Sequence, residues 1–185
     1  IGSNIGAALI IDANNGDVLS SASSPSYDPN IFSKTLSDKT WQKIISSQNA
    51  PLINRPIQGL YPPGSTFKPV VALAALKYGL IKKTDKVFCN GSYTLGNRDF
   101  HCWNKFGHGH VNITDAISQS CDVYFYEIAL KLGIERIAET AKLLGFGSYY
   151  DDYFGITNSI VPNKKWKFDN YNERWQKGET LNVGI

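Results

Sequence analysis

Ser65 and Lys68 are the residues whose types and spacing most directly suggest chemistry. They lie in Tyr61-Pro62-Pro63-Gly64-Ser65-Thr66-Phe67-Lys68-Pro69, ahead of the apolar run Val70-Val71-Ala72-Leu73-Ala74-Ala75-Leu76. A serine is a weak nucleophile until a neighbouring base takes its proton, and a lysine can be that base only where its surroundings keep it neutral. Residues three apart share a helix face, so the spacing predicts hydroxyl and amine within hydrogen-bond reach. The apolar run predicts a buried helix, the setting that disfavours a charged ammonium. The pattern would therefore suit a serine nucleophile with a lysine base, and the rest of the chain has to decide. A plainer reading makes Ser65 a helix cap and Lys68 a solvated first-turn residue, since Ser-x-x-Lys alone is common by chance.

Two further constellations bear on the choice. Ser120-Cys121-Asp122 lies at a helix–helix corner before the apolar-aromatic Val123-Tyr124-Phe125-Tyr126. Ser120 could pass a proton there and Asp122 could hold Lys68, although both also suit simple capping of the next helix. The third constellation is Cys89, Cys102, His108 and Cys121. Three soft sulfurs and one imidazole would make a closed structural zinc site. The spacing is long and lacks Cys-x-x-Cys, so a Cys89–Cys102 disulfide with Cys121 as a buried small hydrophobe is the alternative. His101 and His110 are the other candidate nitrogens.

These residues need elements to hold them. The run Ile5 to Ala13, the turn signal Asn14-Asn15-Gly16-Asp17 and Val18 to Ala22 read as a β-hairpin. Ser37 caps a short helix from Asp38 to Ser46. The nucleophile helix runs from about Thr66 to Tyr78 and ends at Gly79. A second hairpin folds about Gly96-Asn97, followed by a loop rich in glycine and histidine at 107–110. Helices are expected from Thr114, from Val123 to Leu132 and from Glu135 to Leu144, the last two closed by Gly133 and Gly145. From Gly147 to Lys177 no period is evident, so a loop is expected. Leu181 to Ile185 reads as the start of a strand. The order of elements is α+β, helices packed on an antiparallel sheet.

With 185 residues, 42% of them hydrophobic, the chain can bury one sizeable core. Its 19% charged content and its 10 Tyr, 9 Phe and 4 Trp exclude a disordered chain. The net charge of +3 comes from scattered lysines, with no basic stripe that would suit nucleic acid. No apolar run approaches the roughly 20 residues that span a bilayer. The abrupt start and finish read as a fragment of a longer protein, one domain whose remaining strands are expected past Ile185.

Taken together, the first two constellations resemble those of the penicillin-binding transpeptidases, whose motifs are Ser-x-x-Lys, Ser-x-Asn and Lys-Thr/Ser-Gly. Within them the chain is most similar to the penicillin-binding protein 2 family, the class B enzymes of cell elongation. The likeness extends through Ala7-Ala8-Leu9-Ile10-Ile11-Asp12, Pro25-Ser26-Tyr27-Asp28-Pro29-Asn30, Asn54-Arg55-Pro56-Ile57-Gln58-Gly59, Gly107-His108-Gly109-His110-Val111-Asn112 and Trp175-Gln176-Lys177-Gly178-Glu179-Thr180. It is weakest around Tyr149 to Thr157. Asp122 stands where most of the wider group has Asn. An ionised Asp122 beside Lys68 favours the ammonium and opposes a neutral base, so Asp122 must face another partner or share a proton with Lys68. The third motif is expected beyond Ile185.

The resemblance implies the penicillin-binding/serine β-lactamase-like fold and a peptidoglycan D,D-transpeptidase. Ser65 would be the nucleophile, Lys68 the base, Ser120 the proton carrier and Asp122 the residue that positions Lys68. It also implies stem peptides as substrate and β-lactams as inhibitors. By the same resemblance Cys89, Cys102, His108 and Cys121 correspond to a zinc site of some relatives. Expected partners are a polymerising glycosyltransferase and a rod-shape scaffold protein at the periplasmic face of a bacterial inner membrane. A serine β-lactamase, a β-lactam sensor or a non-catalytic scaffold would share the first motif. Hydrolysis would need a water-activating glutamate that is not identifiable here.

Overall fold

The computed structural model describes residues 4–33, 35–148 and 159–185. The described residues fall into two compact units, one ending at Tyr61 and the other beginning at Pro62. In the first, β1 (Gly6–Ile11) and β2 (Val18–Ser24) pair antiparallel, with Ala8 opposite Ala22 and Leu9 opposite Ser21. The Asp and Asn side chains of the expected turn close it, Asp12 Oδ1 accepting from the Asn14 amide at 2.8 Å. The helix α1 (Asp38–Ile45) starts where the sequence places it, Ser37 Oγ accepting from the Thr40 amide at 3.2 Å. A single turn, α2 (Arg55–Gln58), carries a buried Arg55 whose amide donates to Ser23 Oγ and ties it to β2.

The second unit is built round two helices that are buried on nearly every side, α3 (Lys68–Lys77) and α5 (Asp122–Leu132). Val71, Ala74 and Ala75 of the first and Phe125, Ile128 and Ala129 of the second are fully buried. Each large side chain taken from water in this way contributes roughly 1.5–3 kcal/mol. Small residues on α3 let the helices approach closely. Between them in sequence come β3 (Val87–Cys89), β4 (Ser92–Leu95), β5 (Arg98–His101), β6 (Gly109–Val111) and α4 (Ile113–Ser118). Beyond α5 lie α6 (Ile134–Leu143), α7 (Lys164–Tyr171) and α8 (Lys177–Val183). The hairpin about Gly96-Asn97 is present as β4–β5. The expected α+β make-up holds, with the antiparallel pairs distributed over three two-stranded sheets among the described residues.

Four local expectations need correction. The glycine- and histidine-rich stretch is not wholly loop: residues 109–111 form β6, which pairs with β3 and sets Cys89 opposite Gly109. The nucleophile segment begins as a 3-10 turn over Gly64–Phe67, and the α-helix starts only at Lys68. Within the stretch expected as loop, residues 164–171 are helical, because Asn163 Oδ1 caps them by accepting from the Trp166 amide at 2.8 Å. The terminal segment is helix α8 rather than strand. Leu181 and Val183 alternate like strand residues, but Gln176 and Glu179 form a capping box and Leu181 packs into the helical core. Of the same expected loop, residues 149–158 lie outside the described residues. No helix among the described residues is long and apolar enough to cross a membrane.

Candidate active site

Gly64 adopts φ +56° and turns the chain so that Ser65 enters the 3-10 turn with its hydroxyl exposed. Lys68, the first residue of α3, points inward and is 1% exposed. It meets the corner between α4 and α5. That corner is tight: Ser120 takes a left-handed φ of +53°, which costs a non-glycine residue ~1 kcal/mol or more. The Cys121 amide closes it by donating to the Ala116 carbonyl at 2.9 Å. Asp122 then opens α5, where the helix dipole favours a carboxylate.

The four polar residues form one connected chain. Ser120 Oγ is 2.8 Å from Ser65 Oγ and 3.0 Å from Lys68 Nζ. Lys68 Nζ also donates to the Ser120 carbonyl at 3.0 Å and to Asp122 Oδ1 at 2.6 Å. It lies 5.6 Å from the centre of the Phe125 ring. An ammonium has three hydrogens, and these three acceptors use all of them. The sequence reading expected Ser65 and Lys68 to bond directly. Among the described residues the link instead runs through Ser120, because the 120–122 corner holds every acceptor that Lys68 uses. Asp122 faces two partners at once: Oδ1 meets Lys68 and Oδ2 accepts from the Trp103 amide at 2.9 Å.

The four candidate ligands also converge. The donor atoms of Cys89, Cys102, His108 and Cys121 all lie within 4.8 Å of one another, and all three cysteines are free thiols. His108 Nδ1 sits 3.6 Å from both Cys89 Sγ and Cys102 Sγ. A tetrahedral ion with S and N donors would set such edges at about 3.5 Å, so the donor set fits one. Among the described residues His108 Nε2 is buried without a partner. Pairing of β3 with β6 brings Cys89 to His108, and Gly107 makes the approach possible. A side chain at 107 would meet the Cys89 carbonyl at 2.2 Å, and φ there is +79°. Burial pushes the Cys121 thiol up to about 12 and raises Cys102 as well, so thiolates here need a nearby cation. His101 and His110 are both exposed; the His101 carbonyl accepts from Tyr126 Oη and the His110 ring packs on Phe88.

Trp103 was not singled out by sequence. Its only signal is adjacency to Cys102, yet it contacts both constellations: its amide bonds Asp122, and its ring lies 5.3 Å from that of His108.

A buried lysine is thus joined through one serine hydroxyl to an exposed serine within a mixed helix–strand unit. The chain belongs to the penicillin binding protein transpeptidase domain family, whose model matches residues 6–185. It is 37% identical over 182 residues to the peptidoglycan D,D-transpeptidase MrdA of Escherichia coli, covering 97% of this chain and 29% of that protein. Among solved structures it is similar to Pseudomonas aeruginosa PBP2 in complex with WCK 5153, at 43% identity and a TM-score of 0.90, covering 98% of this chain and 42% of the other. It is likewise similar to Helicobacter pylori PBP2 in complex with MreC, at 37% identity and a TM-score of 0.93, covering 98% of this chain and 34% of the other. The fold is thus the penicillin-binding transpeptidase fold, and the chain spans less than a third of the length of the curated relatives it matches.

Proposed function

We propose that the protein carrying this chain is a peptidoglycan D,D-transpeptidase that works through an acyl-enzyme on Ser65. The observation that supports it most is the chain of contacts from Ser65 through Ser120 to Lys68 and Asp122. For Lys68 to act as the base, its extra proton must first pass to a partner, and Asp122 Oδ1 at 2.6 Å is the acceptor in place for it. Ser65 Oγ attacks the carbonyl carbon between the two terminal D-alanines of a stem peptide. Its proton moves to Ser120 Oγ as the Ser120 proton moves to Lys68 Nζ. The Ser65 amide donates to the developing oxyanion. When the C–N bond breaks, the proton returns through Ser120 to the departing D-alanine amine, leaving the ester. The amine of a neighbouring stem peptide then attacks the ester under the same base and frees Ser65.

A β-lactam acylates the same oxygen by presenting a strained amide in place of the dipeptide. Full-length protein treated with penicillin should gain the mass of one inhibitor, and Ser65→Ala should gain none. An adduct that persists in Ser65→Ala sinks the assignment, and rapid turnover of penicillin would make the protein a β-lactamase.

The same reading gives Cys89, Cys102, Cys121 and His108 Nδ1 to a structural zinc ion. Support comes from the convergence of three sulfurs and one imidazole nitrogen and from thiols that burial holds protonated when no cation is near. Zinc would supply that charge and tie the β3–β6 ladder to the 120–122 corner. One equivalent of metal by elemental analysis, and thiolate-to-metal absorption after cobalt substitution, are the expected results; cobalt spectra without a sulfur band would exclude the site. We extend the reading to a polymerising glycosyltransferase and a scaffold of the MreC kind as partners, supported by the solved Helicobacter pylori PBP2–MreC complex and a peptidoglycan synthase complex. It extends also to the periplasmic face of a bacterial inner membrane, which the sequence resemblance alone implies.

A further inference from the structure

Trp103 is 65% exposed, yet both of its N–H groups point inward. The main-chain amide donates to Asp122 Oδ2 at 2.9 Å. The indole N–H is shared between the carbonyls of Gln119 at 3.0 Å and Ser120 at 3.1 Å. Two of these groups are also partners of Lys68, approached from another side. Lys68 holds Oδ1 of the same carboxylate and the same Ser120 carbonyl.

A carboxylate bonded through one oxygen can pivot about its Cβ–Cγ bond, and a carbonyl with one donor can swing with its peptide. A second donor on each removes that freedom. The need is greatest at Ser120, whose backbone is held in a left-handed conformation that the surroundings must enforce. Trp103 is itself well anchored. The Cys102 amide before it donates to the Gly91 carbonyl at 2.9 Å, and Asn104 Nδ2 after it donates to the Gly107 carbonyl at 2.8 Å. Its ring rests edge-on against His108, with 62° between the planes. Tryptophan suits the task because it offers a single side-chain donor and no acceptor.

We propose that Trp103 is a positioning residue for the Ser65–Ser120–Lys68 relay, its indole N–H fixing the Ser120 carbonyl while its amide fixes Asp122. This rests on the relay described under the proposed function. Without the indole N–H, the Ser120 carbonyl keeps Lys68 as its donor and Ser120 Oγ wanders from Ser65 Oγ. Misplacing a reacting group by about 1 Å can cost ~100-fold in rate, and a partial loss of restraint should cost roughly tenfold.

The test places 3-benzothienylalanine at this position in the full-length protein (Trp103→3-benzothienylalanine), replacing the indole N–H by sulfur while keeping its shape. Trp103→Phe serves as the genetic counterpart. Acylation by penicillin is followed over a concentration series to separate the first-order acylation constant from the apparent dissociation constant. The expected result is a roughly tenfold fall in the first-order constant, with dissociation constant, melting temperature and metal content unchanged. A benzothienylalanine variant whose first-order constant equals that of wild type overturns the proposal. A loss confined to the dissociation constant overturns it too, since Trp103 would then be a ligand contact. If Trp103→Phe does not fold, the isosteric variant decides. Wild-type protein that penicillin leaves unmodified would overturn the relay itself, an outcome distinct from an acylated wild type with unchanged variants.

Discussion

Among the described residues two lysines are buried in the second unit, and they make almost the same bonds. Lys68 Nζ meets one carboxylate oxygen at 2.6 Å, one hydroxyl at 3.0 Å and one carbonyl at 3.0 Å. Lys167 Nζ meets Glu179 Oε1 at 2.6 Å, Glu173 Oε2 at 3.2 Å and the Arg174 carbonyl at 3.2 Å. Each ammonium is saturated. The difference is a single acceptor: where Lys167 has a second carboxylate, Lys68 has the Ser120 hydroxyl. A carboxylate ends a proton path, whereas a hydroxyl can accept from one side and donate to the other. Only the Lys68 cluster leads anywhere, and it leads to Ser65. Burial and charge pairing alone therefore do not separate the lysine proposed as a base from a structural one; the groups continuing outward from it do.

The largest effect is expected where that path is cut. Lys68→Met should lower the acylation rate of full-length protein by ~10²–10⁴, the usual span for a lost general base. It should also cost about 3–5 kcal/mol of stability, because Asp122 is left buried without its cation. A Lys68→Met protein acylated at the wild-type rate would erase the distinction between the two lysines.

Metal removal comes next. With the proposed zinc bound, a strong chelator should lower the melting temperature by roughly 10 °C or more, since a structural site of this kind binds and folds together. Unchanged melting would detach the Cys and His cluster from the stability of the corner. Asp122→Asn keeps shape and an acceptor for Trp103 but removes the carboxylate proposed to take the Lys68 proton. Acylation should fall about tenfold, as for a lost charged hydrogen bond. A rate above wild type would mean that Asp122 restrains Lys68 rather than assisting it.

The smallest effect belongs to Lys167→Met, expected to lower the melting temperature a little and leave the acylation rate per folded molecule unchanged. Here the pH dependence has a clear sign. The Glu179 hydrogen bond is the main cause holding Lys167 above its ordinary value. Burial opposes the Glu179 charge, but Lys167 and the Gln176 amide outweigh it and keep that carboxyl below its usual range. Stability from Glu179 is thus present above the ordinary carboxylate range and lost as pH falls through its lowered value. Stability from Lys167 is full below the ordinary lysine range and lost as pH rises through its raised value. Melting curves of Lys167→Met should show a weaker acid-side loss than wild type; an equal loss would place the acid-sensitive group elsewhere.

Much of this was legible in the residues. Ser37, Asp122 and the glycines after α5 and α6 mark helix ends by local chemistry, and those helices fall where expected. Ser65, Lys68, Ser120 and Asp122 could be named because motif spacing survives folding. What sequence left hidden was long-range or ambiguous in period. The pairing of β3 with β6 sets Cys89 opposite Gly109 across the whole second hairpin and has no local signature. Leu181 and Val183 alternate, and only the capping box and the core they enter decide for helix. The passage of the Ser65–Lys68 link through Ser120 depends on which acceptors the corner presents, a matter of three-dimensional placement.

Ser120, Cys121 and Asp122 form a partition one residue thick. The outer two contact Lys68, and the middle one joins the sulfur cluster. Neither chamber can be remodelled without disturbing the dividing wall. A change that distorted the sulfur cluster should therefore be felt at Lys68, and through Ser120 at Ser65, without touching either.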